Sequence, residues 1–143
     1  MNPPPERSVL EERLRLLNEY VSDLAALQEV DFETYTENKL LRRAVERTLQ
    51  LAVEACLDIG QHIIALEGLR VPADNKDVFV ILGEESIVPS PLLPALVAMA
   101  KFRNLIVHDY ARIDDSVVFG ILRRQLGDLN AFAQAVAAYL EAG

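Results

Sequence analysis

The sequence predicts an all-α domain, an up-and-down bundle of four main helices plus a short one. Three observations lead there. Leucine and valine recur at alternating steps of four and three over long stretches, the period of a helix face and not of a strand. Leu, Ala, Val, Glu and Arg dominate while Trp is absent and aromatics make up only 6%, a mixture that packs helices through aliphatic side chains. Helix starts and stops also fall where the periodic stretches begin and end.

Taken in order, Asn2-Pro3-Pro4-Pro5 reads as an extended lead-in over residues 1–6, because consecutive prolines cannot continue into a helix. A single helical domain then occupies 7–143. Its first helix covers about 7–28, with Leu10, Leu14, Leu17, Val21, Leu24 and Leu27 on one stripe. Asp31-Phe32-Glu33-Thr34 looks like a capped short turn. A second long helix is expected from Asn38 to Glu67, its apolar face running from Leu41 through Val45, Leu49, Val53, Cys56 and Ile59 to Ile63. Gly60 within it marks close packing or a bend, and Gly68 is a natural C-terminal stop. A short helix is placed at Lys76–Leu82, ending at Gly83, although Val78-Phe79-Val80-Ile81 would also suit a strand.

Ser90-Pro91 reads as a helix start, with serine as cap and proline in the first turn. From there to His108 the sequence is apolar almost all round, and such a helix must be covered on every side. In so small a domain part of that cover is expected from a second copy of the chain. A last helix is expected from Asp115, a cap, to Leu140, with Val118, Leu122, Leu129, Phe132, Val136 and Leu140 as its stripe.

Composition narrows the function. No run of about 18 apolar residues is free of charge, so no membrane span is expected, and the N-terminus lacks the apolar block of a secretion signal. A cytoplasmic protein is the expectation. The single cysteine, Cys56, excludes an intramolecular disulfide and a multi-cysteine metal site, and its apolar neighbours mark it as a small buried hydrophobe. A net charge of −8 argues against a general nucleic-acid binder, and no DNA partner is expected. The charge is uneven, though. Residues 1–40 hold nine acids against four bases, whereas residues 101–124 hold five bases against three acids. That local excess suits a phosphate-handling site, although ordinary solvated charge would look the same.

The candidate site follows from the two histidines. His62, on a helix with Asp58 one turn away, reads as structural or partly exposed. His108 stands five residues after Arg103 and two before Tyr110, at the end of the most apolar helix. A histidine there could simply meet the helix dipole. Its functional reading is RNA cleavage by internal transfer, which needs a proton carrier near neutral pH, a cation for the charged phosphorane and a way to hold substrate. Histidine, arginine and tyrosine supply these without a cofactor or a metal. On an ideal helix Arg103 and Tyr110 share a side, Asn104 and His108 share another, and His108 lies about 140° from Arg103. One straight helix cannot gather them all. Either the helix ends near His108 and the chain turns, or a second subunit completes a cleft, the arrangement favoured here.

Arg103-Asn104-Leu105-Ile106-Val107-His108-Asp109-Tyr110 resembles the R-x4-H-x-Y motif of the HepT toxins of the HEPN superfamily, including the polar residue directly after the arginine. The resemblance extends over nearly the whole chain, through Leu41–Arg47 leading into Glu54–Gly60, the arginine–histidine helix and the final helix. It implies a HEPN-like fold and a metal-independent endoribonuclease working as a homodimer, with both motifs lining one cleft. Arg103 and His108 would be catalytic, and Asn104 would orient His108 or the phosphate. Tyr110 would contact substrate and accept AMP from a cognate antitoxin, a minimal nucleotidyltransferase (MNT). Two other readings of the same residues stay open. One is a nucleotide- or partner-binding module that supports a nucleotidyltransferase without cutting RNA. The other is a scaffold in which Arg103 and His108 merely finish a helix.

Overall fold

A computed structural model describes residues 5–143, the side chain of Pro5 excepted. Its elements are α1 (Pro5–Ala25), α2 (Phe32–Glu37), α3 (Lys39–Glu67), α4 (Asn75–Glu84), α5 (Leu93–His108), α6 (Asp115–Arg124) and α7 (Leu126–Ala142). Two 3-10 turns, Ser90–Leu92 and Tyr110–Arg112, flank α5, and the described residues contain no strand. The all-α expectation holds, and Val78–Ile81 is helical.

The lead-in expected over 1–6 lies outside the described residues up to position 4, and α1 already begins at Pro5. Proline is tolerated in a first helical turn because its missing N–H would have no intrahelical partner there. Helix α1 ends at Ala25, short of the expected 28; it buries Leu10, Leu17, Val21 and Leu24, with Leu14 and, beyond the helix, Leu27 packed at the margin of the core. Asp31 caps α2 through Thr34 N at 2.7 Å, and Asn38 caps α3 through Leu41 N at 3.0 Å. Gly68 ends α3 at φ 64, a left-handed conformation that glycine adopts without strain.

Helix α3 is the axis of the bundle, packed by α1, α4 and α5, with α7 against α1. Gly60 marks close packing rather than a bend, since a Cβ there would come within 2.5 Å of Val78 Cγ1 on α4. Gly83 differs from expectation in the same way. It lies inside α4, where a Cβ would meet Leu93 Cδ1 at 2.5 Å, so it brings α4 close to α5 instead of ending the helix. Ser90 does not cap α5. A 3-10 turn intervenes, the helix proper starts at Leu93 with Pro94 in its first turn, and no side-chain hydrogen bond caps it.

The last helix also departs from expectation, dividing at Gln125 into α6 and α7, with Asp114 and not Asp115 as the cap of α6. Gln28 Nε2 donates to Leu122 O at 3.3 Å and to Arg123 O at 3.2 Å, taking two carbonyls that a continuous helix would use. The apolar stripe survives the break, with Val118, Leu122, Leu129, Phe132, Val136 and Leu140 all buried.

Two stretches, Lys39–Glu67 and Ser90–His108, are long and apolar enough to cross a membrane by length and composition. Of their most apolar windows, 56% is buried in the first and 33% in the second. Core packing accounts for α3, but much of α5 is uncovered within one chain.

Candidate active site

The site is built where α3 runs antiparallel to α5. Glu46, Gln50 and Glu54 stand four residues apart on α3, so they form one polar row on a helix otherwise given to the core. Glu54 faces Arg103 near the middle of α5, while Glu46 faces Tyr110 just beyond its end.

At the arginine end, Arg103 Nη2 donates to Glu54 Oε1 at 3.4 Å and Nη1 donates to Asn104 Oδ1 at 3.2 Å. Gln50 Nε2 holds the same Glu54 oxygen at 3.0 Å. Asn75 at the start of α4 donates to Asn104 Oδ1 at 3.1 Å. Three helices therefore fix the guanidinium, whose side chain is only 22% exposed. These bonds use one hydrogen on each terminal nitrogen and leave the other available. Arg103 Nε is buried with no hydrogen-bond partner among the described residues. Asn104 gives its oxygen to Arg103 and Asn75, and no hydrogen bond among the described residues joins it to His108.

At the far end α5 stops at His108, and Asp109 turns the chain with φ −146 and ψ 52. Tyr110 then opens the 3-10 turn. The chain thus leaves the helix axis where the spacing of the motif demands it. His108 is exposed at the last turn of α5. Tyr110 is 42% exposed, yet its Oη donates to Glu46 Oε1 at 2.5 Å. Arg43 lies over the Tyr110 ring, 4.9 Å from its centroid, and reaches Glu46 Oε1 at 3.6 Å. Glu46 is a buried carboxylate, 5% exposed, and burial is the main cause raising its pKa, with Asp115 adding and Arg43 and Arg42 opposing.

Of the four residues singled out in the sequence, Arg103 and Asn104 are joined directly. Tyr110 is anchored separately on α3, and no hydrogen bond within the described residues ties His108 to any of them. Sequence reasoning missed Glu46, Gln50, Glu54 and Asn75. The row of polar residues at steps of four along α3 was the available signal. Arg43 of α3 is the residue stacked on Tyr110. His62 lies 3.6 Å from Asp58, in keeping with a structural, partly exposed histidine, and burial raises the pKa of the Cys56 thiol, as suits a core hydrophobe.

Fold and site define an all-α bundle that holds a preorganised arginine on α5 and an exposed histidine at the end of the same helix. Comparison with known proteins identifies the family. The profile of the family described as Ribonuclease HepT-like matches residues 10–136, and the chain belongs to that family. The mRNA nuclease HepT of Shewanella oneidensis is 30% identical over 108 residues, 76% of this chain and 81% of that protein. The tRNA nuclease HepT of Aphanizomenon flos-aquae is 27% identical over 135 residues, 94% of this chain and 92% of its own length. Among solved structures, a tri-AMPylated HEPN toxin of Shewanella oneidensis in complex with an MNT antitoxin superposes with a TM-score of 0.83 at 25% identity. That match covers 96% of this chain and 99% of the other.

Proposed function

We propose that this chain is a metal-independent endoribonuclease toxin, acting as a homodimer and neutralised by an MNT-type nucleotidyltransferase antitoxin. The observation that carries the reading is the contrast within the motif: Arg103 is fixed by three helices with donors to spare, whereas His108 is left free a few residues away. The nuclease relatives and the toxin–antitoxin complex of like fold support the assignment.

In the proposed reaction the 2′-hydroxyl of one nucleotide attacks the adjacent phosphorus, and the bond to the 5′-oxygen of the next nucleotide breaks. His108 carries a proton, as base for the attacking hydroxyl or as acid for the leaving oxygen. Arg103 meets the charge that builds on the phosphorane oxygens with its planar fork. Asn104 holds that fork in place, and Tyr110 contacts substrate. A second copy of the chain supplies the opposing motif. The unburied apolar surface of α5 favours such a closure. Transfer of AMP to Tyr110 by the antitoxin would set an anion where substrate phosphate binds and silence the enzyme.

The test is growth and total RNA of cells induced to make the chain alone, beside His108→Ala. Arrest with RNA fragments is expected only from the unmutated protein, and purified protein should cleave equally well in EDTA. Cleavage by the variant at more than about a hundredth of the normal rate would remove His108 from the chemistry. A purified dimer that binds nucleotide yet leaves RNA intact would favour a binding module instead.

A further inference from the structure

Glu46 is the one charged residue among the described residues that the fold buries, and folding gains nothing obvious from it. Taking a carboxylate out of water is costly unless its oxygens are well used. Glu46 spends one of them on the phenol of Tyr110 at 2.5 Å, a residue far away in sequence. The groups facing it are few. Arg42 and Arg43 approach from its own helix, Asp115 from α6, Tyr35 from α2, and Tyr110 from the turn after α5. Arg42 is partly occupied by Asp115 at 3.7 Å, and Arg43 lies over the tyrosine ring. Tyr110 thus has its ring held from one side and its hydroxyl proton pointed at a carboxylate, while 42% of the residue stays open to solvent. A tyrosine that only packed or only touched substrate would not need a buried carboxylate on its oxygen.

We infer that Glu46 is the proton acceptor that makes Tyr110 Oη a nucleophile when this residue is nucleotidylated. The inference rests on the reading of Tyr110 as the modified residue and adds the group that enables the transfer. The co-reactant is a nucleoside triphosphate delivered by the nucleotidyltransferase partner. Tyr110 Oη forms a bond to the α-phosphorus, the bond from that phosphorus to the bridging oxygen breaks, and pyrophosphate leaves with the electron pair. The phenolic proton passes along the existing hydrogen bond to Glu46 Oε1. Arg43, beside both residues, lies where the new phosphodiester charge appears. After transfer the oxygen has no proton to donate, so the Glu46 contact is lost and the modified side chain must leave its place against α3.

The experiment follows adduct formation by intact-mass spectrometry on the full chain mixed with its nucleotidyltransferase partner, ATP and magnesium. It compares the unmutated protein with Glu46→Gln, Glu46→Asp and Tyr110→Phe. Glutamine keeps the size and the accepting oxygen but takes no proton. The maximal rate at saturating ATP is expected to fall at least tenfold in Glu46→Gln, with little change in the ATP concentration giving half that rate. Glu46→Asp should recover part of the loss. In the unmutated protein the rate should rise with pH as Glu46 ionises, and Glu46→Gln should lack that limb. Equal maximal rates and equal pH profiles in the unmutated protein and Glu46→Gln, with the adduct mapped to Tyr110, would overturn the role of Glu46. An adduct that still forms on Tyr110→Phe, or none on the unmutated protein, would instead overturn the reading of Tyr110 beneath it. Far-ultraviolet dichroism and the melting midpoint of each variant separate a slow reaction from a fold that has failed.

Discussion

Helix α3 and the stretch Ser90–His108 that contains α5 are both apolar enough by length and composition to cross a membrane, yet 56% of the most apolar window is buried in the first and only 33% in the second. Helix α3 buries a continuous face from Val45 to Ile64, and Glu46, Gln50 and Glu54 among its polar residues are aligned toward the site. Helix α5 turns one side inward through Leu96, Met99, Phe102 and Ile106 and leaves Val107 40% exposed near its C-terminal end. Equal hydrophobicity therefore serves two purposes. In α3 it builds the fold, and in α5 it builds half a core and leaves the rest uncovered within one chain.

Substitutions sharpen that contrast. The largest effect is expected deep in α3, where Leu49→Ala should cost about 2–5 kcal/mol in denaturant unfolding and reduce activity only through loss of folded protein. Gly60→Ala should cost about 1–3 kcal/mol in the same assay, because the new methyl group collides with Val78 and valine has little freedom to move away. On α5 the outcome should be of another kind. Val107→Glu should leave the melting midpoint of the monomer nearly unchanged but weaken self-association about tenfold in sedimentation, roughly 1.4 kcal/mol. A variant as tightly associated as the unmutated protein would show that α5 is covered by something other than a second copy. Where the two helices meet, Glu54→Ala should lower the maximal cleavage rate roughly tenfold, or about 1.4 kcal/mol, with little change in KM, since it loosens the arginine without removing it. Glu54→Gln should restore part of that loss through its remaining oxygen acceptor.

The smallest effect is a dependence on pH. Burial raises the pKa of Glu46 in the folded state. A raised folded-state pKa adds stability that is fully present below the unfolded value and disappears as pH rises through the folded one. The melting midpoint of Glu46→Gln relative to the unmutated protein should therefore move upward as pH is raised from about 4 toward neutrality. A difference that stays constant over that range would mean the buried carboxylate is charged at no cost.

Much of this architecture was legible in the chain. The stripe of α1, the capped turn at Asp31 and the stop at Gly68 are local signals, each written in a few adjacent residues and each found in place. The site was legible in part. Arg103, Asn104, His108 and Tyr110 announced themselves by type and spacing, and a helix end near His108 was one of the two ways of gathering them that the spacing left open. Glu46, Gln50, Glu54 and Asn75 did not, because charged and amide residues on a helix are more often solvated than partnered. The division at Gln125 was also hidden, since the Gln28 side chain that meets the carbonyls at the break lies far away in sequence.

By itself, then, the sequence determined the helical class, the order of the main elements and the residues able to do chemistry at one end. These depend on periodicity, capping and side-chain type, which act over one or two helical turns. Only the tertiary structure decided which polar residues of α3 meet which residues of the motif, that Gly60 and Gly83 admit their neighbours, and how much of α5 remains uncovered. Those facts depend on the register between helices, set by how all the side chains fill the interior together.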